Sequence, residues 1–325
     1  MNGYVAHLVK VFKRAPDKHE AHRRSTPILA DMTGDPRFVK EALTAYLRRP
    51  DVLNARNYPV VGIEVALNEW FSLVVHGWVP RPDHSPKISS KAIHHHGELL
   101  LTSATMSGPG YEHWLFTRPK QIDPQKDLYQ IEVTHREWHP ANHVAFVDAH
   151  IPHMPWYPPD TTLTLCLWSD QRPTTWKDRV KRVPLLKKNE YRLRAVAEKL
   201  GITGLFVRAI GLKLLEALDF YPADDGFHAI PERQEFDKGP NEDHLHSLFS
   251  VLQHTKNEGL AVLIEERMAA EPALENRATL VKLLDDLRAG RPIEGRLSAC
   301  HLELPNAMFP QAAVERALAA QARRS

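Results

Sequence analysis

The sequence predicts an α+β protein: a small antiparallel β-barrel, preceded by a helix and followed by an α-helical region. Three observations predict it. Between Glu69 and Trp168, short runs suited to strands alternate with turn signals. The clearest is Thr161–Trp168, where Thr162, Thr164, Cys166 and Trp168 interleave with Leu163, Leu165 and Leu167 at the period of a strand. Apolar residues at helical spacing flank this block on both sides. Finally, nine of the 19 histidines fall in the 65 residues from Lys91 to Pro155, a fifth of the chain. Neutral imidazole is the commonest protein ligand for transition metals, so this grouping points to a metal site in the mouth of the barrel.

In chain order, three regions are expected: residues 1–55, a mixed segment with a helix; 56–170, the barrel with the metal site; and 171–325, a basic connector and an α-helical C-terminal region. Tyr4–Phe12 suits either a short strand or a helix, and Lys13–Thr26 is polar and basic. Asp35-Pro36 opens a helix, with Asp as N-cap and Pro in the first turn, and Phe38, Val39, Ala42, Leu43, Tyr46 and Leu47 make its apolar stripe. Strands are expected at Glu69–Val79, Ala92–Thr105, Glu112–Phe116, Leu128–His135, Val144–Ala149 and Thr161–Trp168, with a Ser107-Gly108-Pro109-Gly110 turn. Gln171–Lys199 holds ten Lys/Arg against three Asp/Glu, the pattern of a solvated connector or of a docking face for an anionic partner. Helical spacing returns at Phe206–Leu218, Leu245–Leu252, Leu260–Ile264 and Leu280–Leu287, with a last helix after Pro310.

Side chains two apart in a strand share a face, so His94 and His96 project together and His95 turns away. A third ligand is expected from the later run Val147-Asp148-Ala149-His150-Ile151-Pro152-His153, at His150 or His153. Glu98 shares the parity of the pair and is a further alternative, although Gly97 interrupts the strand. His113, His135, His139 and His143 suit polar strand ends, and Trp114, Trp156 and Tyr157 suit packing.

The run Ile93-His94-His95-His96-Gly97, with Val147-Asp148-Ala149-His150 and Thr164-Leu165-Cys166-Leu167-Trp168, resembles the cupin superfamily, and within it the cysteine-dioxygenase-type thiol dioxygenases. The resemblance covers roughly 56–170. It implies a cupin-type barrel and one ferrous ion, Fe(2+), held by His94, His96 and His150, the last chosen for its distance from the Cys166 strand. Cupins usually carry a glutamate four or five positions after the second His. Here Leu100 and Leu101 stand there, as the three-histidine group implies. The resemblance also implies that Arg56 grips a substrate carboxylate, as a guanidinium can through two parallel hydrogen bonds. Where that family has a His and a Tyr near the iron, this chain has Cys166 and Trp168, which makes a less polar pocket without the family's proton relay.

The expected function is therefore a mononuclear non-heme iron(II) dioxygenase, using O2 to oxidise a small metal-chelating substrate such as a thiol or an amino-acid-like molecule. Two alternatives stand beside it: a redox-neutral metal-dependent cupin (isomerase or hydrolase), and a non-catalytic ligand-sensing cupin. A net charge of +2 gives no general field for nucleic acid. No run approaches the roughly 18–20 apolar residues of a membrane span. Neither nucleic acid nor membrane is thus expected as a partner. The N-terminus lacks a signal pattern, so a cytoplasmic address is expected. Two cysteines in separate regions, Cys166 and Cys300, argue against a disulfide scaffold. The amphipathic C-terminal helices would suit a homodimer interface. No phosphate-cradling loop, dinucleotide fingerprint or serine elbow is present.

Overall fold

A computed structural model describes residues 1–56, 60–80, 88–89, 92–171, 219–230, 240–296 and 309–324. Three helices come first: α1 (Asn2–Arg14), α2 (Lys18–Thr33) and α3 (Pro36–Leu47). Asp35 caps α3 as expected, accepting from the Arg37 amide at 3.0 Å, and Phe38, Ala42, Leu43, Tyr46 and Leu47 are buried. Tyr4–Phe12 lies within α1. The polar run before Thr26 is the first half of α2, whose cap is Asp17, accepting from the Glu20 amide at 2.8 Å. This helix carries no apolar stripe that reads as one, because its buried face is largely small or polar: Ala21, His22, Ser25, Ile28, Leu29 and Met32.

The strands are β1 (Val61–Leu67), β2 (Ser72–Trp78), β3 (Leu99–Ser107), β4 (Tyr111–Phe116), β5 (Lys120–Asp123), β6 (Leu128–Gln130), β7 (Val133–His139), β8 (Val144–Val147), β9 (His153–Pro155), β10 (Thr162–Asp170), β11 (Phe220–Ala223) and β12 (Gly226–Ala229). All pairings among them are antiparallel. A five-stranded sheet runs β1-β2-β10-β3-β8, a three-stranded one β7-β4-β9, and a four-stranded one β11-β12-β6-β5. Among the described residues four more helices follow: α4 (Asn241–His254), α5 (Ala261–Ala270), α6 (Arg277–Arg288) and α7 (Gln311–Ala322). The architecture is thus mixed α and antiparallel β, with helices at both ends of the chain. The region after 170 is not wholly helical, since it adds the β11–β12 hairpin to β6. The expected helix at Phe206–Leu218, most of the basic stretch and Cys300 lie outside the described residues.

The five-stranded sheet has two unlike faces. Leu163, Leu165, Leu167, Leu73, Val75, Val61 and Ile63 form one, and they share a single core with the buried sides of α1–α6. The α4 helix lies close: a Cβ placed on Gly77 would stand 2.6 Å from a methyl of Val251. The other face presents His76, Trp78, Ser103, Thr164, Cys166 and Trp168 toward the three-stranded sheet, where Trp78 stacks on Tyr111 with ring centroids 5.9 Å apart. A second core, around Trp114, Trp156, Phe220 and Phe227, holds α7 and the hairpin against the outer side of the three-stranded sheet. The candidate site lies between the two facing sheets.

Candidate metal centre

His94, His96 and His153 come together at one end of this interior, each offering one ligand atom, all within 4.8 Å of one another. His94 and His153 are bridge partners: the His153 amide donates to the His94 carbonyl at 2.8 Å, and the His94 amide donates back at 3.2 Å. Their rings lie 4.3 Å apart, and His96 stands 4.8 Å from each. His94 and His153 are buried, and His96 is half-buried.

The third member differs from the expected one. His150 sits in a left-handed turn, φ +61°, with its amide on the Gly97 carbonyl and its Nε2 3.3 Å from Glu98 Oε1. That conformation precedes β9 and turns the ring away from the pair, toward His95. Three residues on, His153 is held in β9 by pairing with Leu115 of β4, and that register aims it inward. Glu98, the other alternative, is also outside the triad and contacts His150 and Gln171. The parity reasoning for His94 and His96 reached the right juxtaposition by a route the backbone does not take. His94 is an isolated bridge, Gly97 takes φ +59° in a turn, and β3 begins only at Leu99.

The residues present fit a cation. The Nδ1–H of His94 donates to the Ala92 carbonyl at 2.8 Å, which makes Nε2 the lone-pair nitrogen. The Nδ1 of His153 meets Nε2 of His113 at 2.8 Å, which likewise makes His153 Nε2 the ligating atom. Ligand histidines in metal sites commonly have their other nitrogen held in this way. Burial lowers the pKa of His113 well below the ordinary histidine value, the nearby His153 acting in the same direction, so His113 is neutral at pH 7 and keeps an acceptor for that contact.

Around the triad the lining is mostly apolar. Trp168 packs edge-on to His96 at 4.4 Å, and Leu101, Val147 and Cys166 form a small cluster with Leu115, Ile151 and Trp168. Burial pushes the Cys166 thiol up to about 12, and its Sγ lies 3.6 Å from Nδ1 of His76, whose own pKa burial lowers to about 4. Neither group exchanges a proton near neutrality. Arg56 is placed elsewhere. It is exposed and follows the turn Val52–Asn54, which α4 holds through Asn241 and His244 on the helical side of the sheet. A phenol does reach the interior from β4: Tyr111 hydrogen-bonds Ser103, and its pKa is raised by burial and by the nearby Cys166. Sequence reasoning missed Tyr111, His113 and His76. The first two share parity on β4, which begins one residue before the expected strand Glu112–Phe116 and so takes in Tyr111.

No protein-family model matches the sequence, and no curated protein matches it. Parts of some solved structures do. A chain from the crystal structures of two DMSP lyases is 18% identical over 32% of this chain and 40% of its own, at a TM-score of 0.20. An RmlC-like cupin from Shewanella frigidimarina is 12% identical over 36% of this chain and 80% of its own, at 0.23. A protein with a double-stranded β-helix domain from Klebsiella pneumoniae is 14% identical over 38% and 86%, at 0.23. The chain thus spans well under two thirds of the lyase. TM-scores this low say nothing of activity, metal or substrate.

Proposed function

We propose that this protein is a mononuclear non-heme iron(II) dioxygenase of the three-histidine type, acting with O2 on a small substrate that chelates the metal. The observation that carries this reading is the convergence of His94, His96 and His153, three imidazoles with no carboxylate in their group among the described residues. Three neutral ligands leave a divalent ion its full charge, and bound ferrous iron would supply a redox-active Lewis acid at which a chelating thiol or amino-acid-like substrate meets dioxygen. The chain's own residues set the conditions. The Ala92 carbonyl and His113 hold the rings of His94 and His153 in the ligating tautomer. Trp168, Leu101 and Ile151 keep water from the buried side. With an apolar wall beside the triad, a substrate would be gripped through its chelating atoms more than through a charged tail.

The test is metal content and oxygen uptake of protein purified without air. Wild type is expected to hold one ferrous ion at this centre. It should consume O2 with small thiols or aminothiols and shift its electron-spin signal with nitric oxide when the thiol is added. His94→Ala and His153→Ala are expected to lose that ion, while His150→Ala keeps it. Retention of metal without oxygen uptake would turn the reading toward redox-neutral chemistry, for which three histidines on zinc are equally suited. Iron binding unaffected by His94→Ala would reject the centre itself.

A further inference from the structure

A second group of side chains lies on the inner face of β7. His135, Glu137 and His139 share that face at the period of the strand, and His143 follows after the Pro140-Ala141-Asn142 turn. Pairing with β4 places them beside Leu115, His113 and Tyr111. We propose that Glu137, His139 and His143 form a second metal site, distinct from the three-histidine centre, that takes a zinc-like divalent cation.

The geometry assembles around one oxygen. Nε2 of His139 stands 3.5 Å, and Nε2 of His143 3.6 Å, from the same Glu137 Oε2. These separations are long for hydrogen bonds, and Nε2 of His143 is buried with no hydrogen-bond partner among the described residues. They match instead the spacing of two ligands on a tetrahedral ion, about 3.4 Å for bonds of roughly 2.1 Å. Two imidazoles and one carboxylate are a recognised zinc set with a position left open. His135, whose Nε2 lies 3.2 Å from the same carboxylate oxygen, supplies the outer hydrogen bond that ligating carboxylates commonly have.

The backbone holds the pair in place before any ion arrives. Thr105 of β3 anchors both ends of the turn: its hydroxyl donates to the His139 carbonyl at 3.2 Å, and its amide donates to the His143 carbonyl at 2.9 Å. Its own carbonyl accepts from Asn142 at 2.7 Å, with Asn142 in the left-handed region at φ +66°. The two rings are stacked 4.5 Å apart as a result. His139 is buried, whereas Glu137 and His143 are part-exposed, so an ion can enter from solvent. A bound ion would tie the end of β7 to the start of β8.

Chelator-stripped protein titrated with zinc alone, by calorimetry and by metal analysis after desalting, tests this. Wild type is expected to take two zinc ions per chain. The Glu137→Gln/His143→Ala variant should take one, and so should His94→Ala/His96→Ala. Zinc should also raise the unfolding temperature of the latter variant. The part-exposed positions of Glu137 and His143 make the first variant the safer to fold, and circular dichroism checks both. Zinc stoichiometry and affinity unchanged in Glu137→Gln/His143→Ala would overturn the proposal, whatever becomes of the other variant. So would a folded His94→Ala/His96→Ala variant that binds none. Because each pair of changes removes a different ion, failure of this site and failure of the three-histidine centre give different counts.

Discussion

Six consecutive residues of strand β10 divide two jobs between them. Leu163, Leu165 and Leu167 are fully buried against the helices, in the large core that they share with α1–α6. Their neighbours Thr164, Cys166 and Trp168 face the histidines across the barrel, in a thin lining with a few apolar contacts. One face is dense and carries stability, while the other is partly polar and carries chemistry. The alternation of a strand lets both be built on one backbone without either intruding on the other.

This contrast can be broken at four points. The largest effect is expected from Leu165→Ala on the helical face, about 2–5 kcal/mol of stability lost to the removed contacts and the cavity, read from denaturant unfolding. A loss well under 1 kcal/mol would mean that this face is not the stabilising one. Next comes Gly77→Ala, whose Cβ would press on Val251 of α4 at 2.6 Å; about 1–3 kcal/mol is expected, with metal binding intact. On the opposite face, His113→Phe fills the space but removes the partner of His153 Nδ1. Affinity at the three-histidine centre should then fall about 10–100-fold by metal titration, and an unchanged affinity would show that His113 does not orient the ligand.

The smallest effect appears only at acid pH. His22 of α2 is a polar group on the helical side, buried with Thr102 Oγ1 at 2.7 Å and Ser169 Oγ at 2.9 Å. Burial first, then the positive charges of His19 and Lys18, lower its pKa to about 3. The unfolded chain binds this proton near the ordinary histidine value of about 6.5. Between about pH 6.5 and 3 the unfolded state therefore holds more protons at this position, and stability falls as pH falls. His22→Gln, which keeps a group able to bond both hydroxyls, should lose less stability than wild type over that window in unfolding measurements across pH. Parallel curves would show that His22 already carries its proton in the folded state.

Much of this was legible in the chain itself. The Asp35-Pro36 helix start, the alternation in β10, the Ser107–Gly110 turn and the helical stripes of α4 and α6 all follow from local periodicity and capping, which need no tertiary partner. The α2 helix was not legible, because its buried face is made of Ala21, His22 and Ser25 and gains its partners only from the sheet. The β11–β12 hairpin was missed for a similar reason: Phe220–Ala229 is short, and pairing with β6 and packing on α7 define it.

At the centre, the sequence by itself determined that histidines would gather in the barrel and that His94 and His96 would stand together. It chose His150 over His153, whereas the fold brings His153 to the pair. Counting parity holds only within one strand. Left-handed turns at Gly97 and His150 reset the count, and whether a turn or a strand occupies each position is decided by hydrogen bonds to distant segments: Leu115 for His153, the Gly97 carbonyl for His150. Local chemistry named the kind of ligand, and long-range pairing decided which copy of it faces inward.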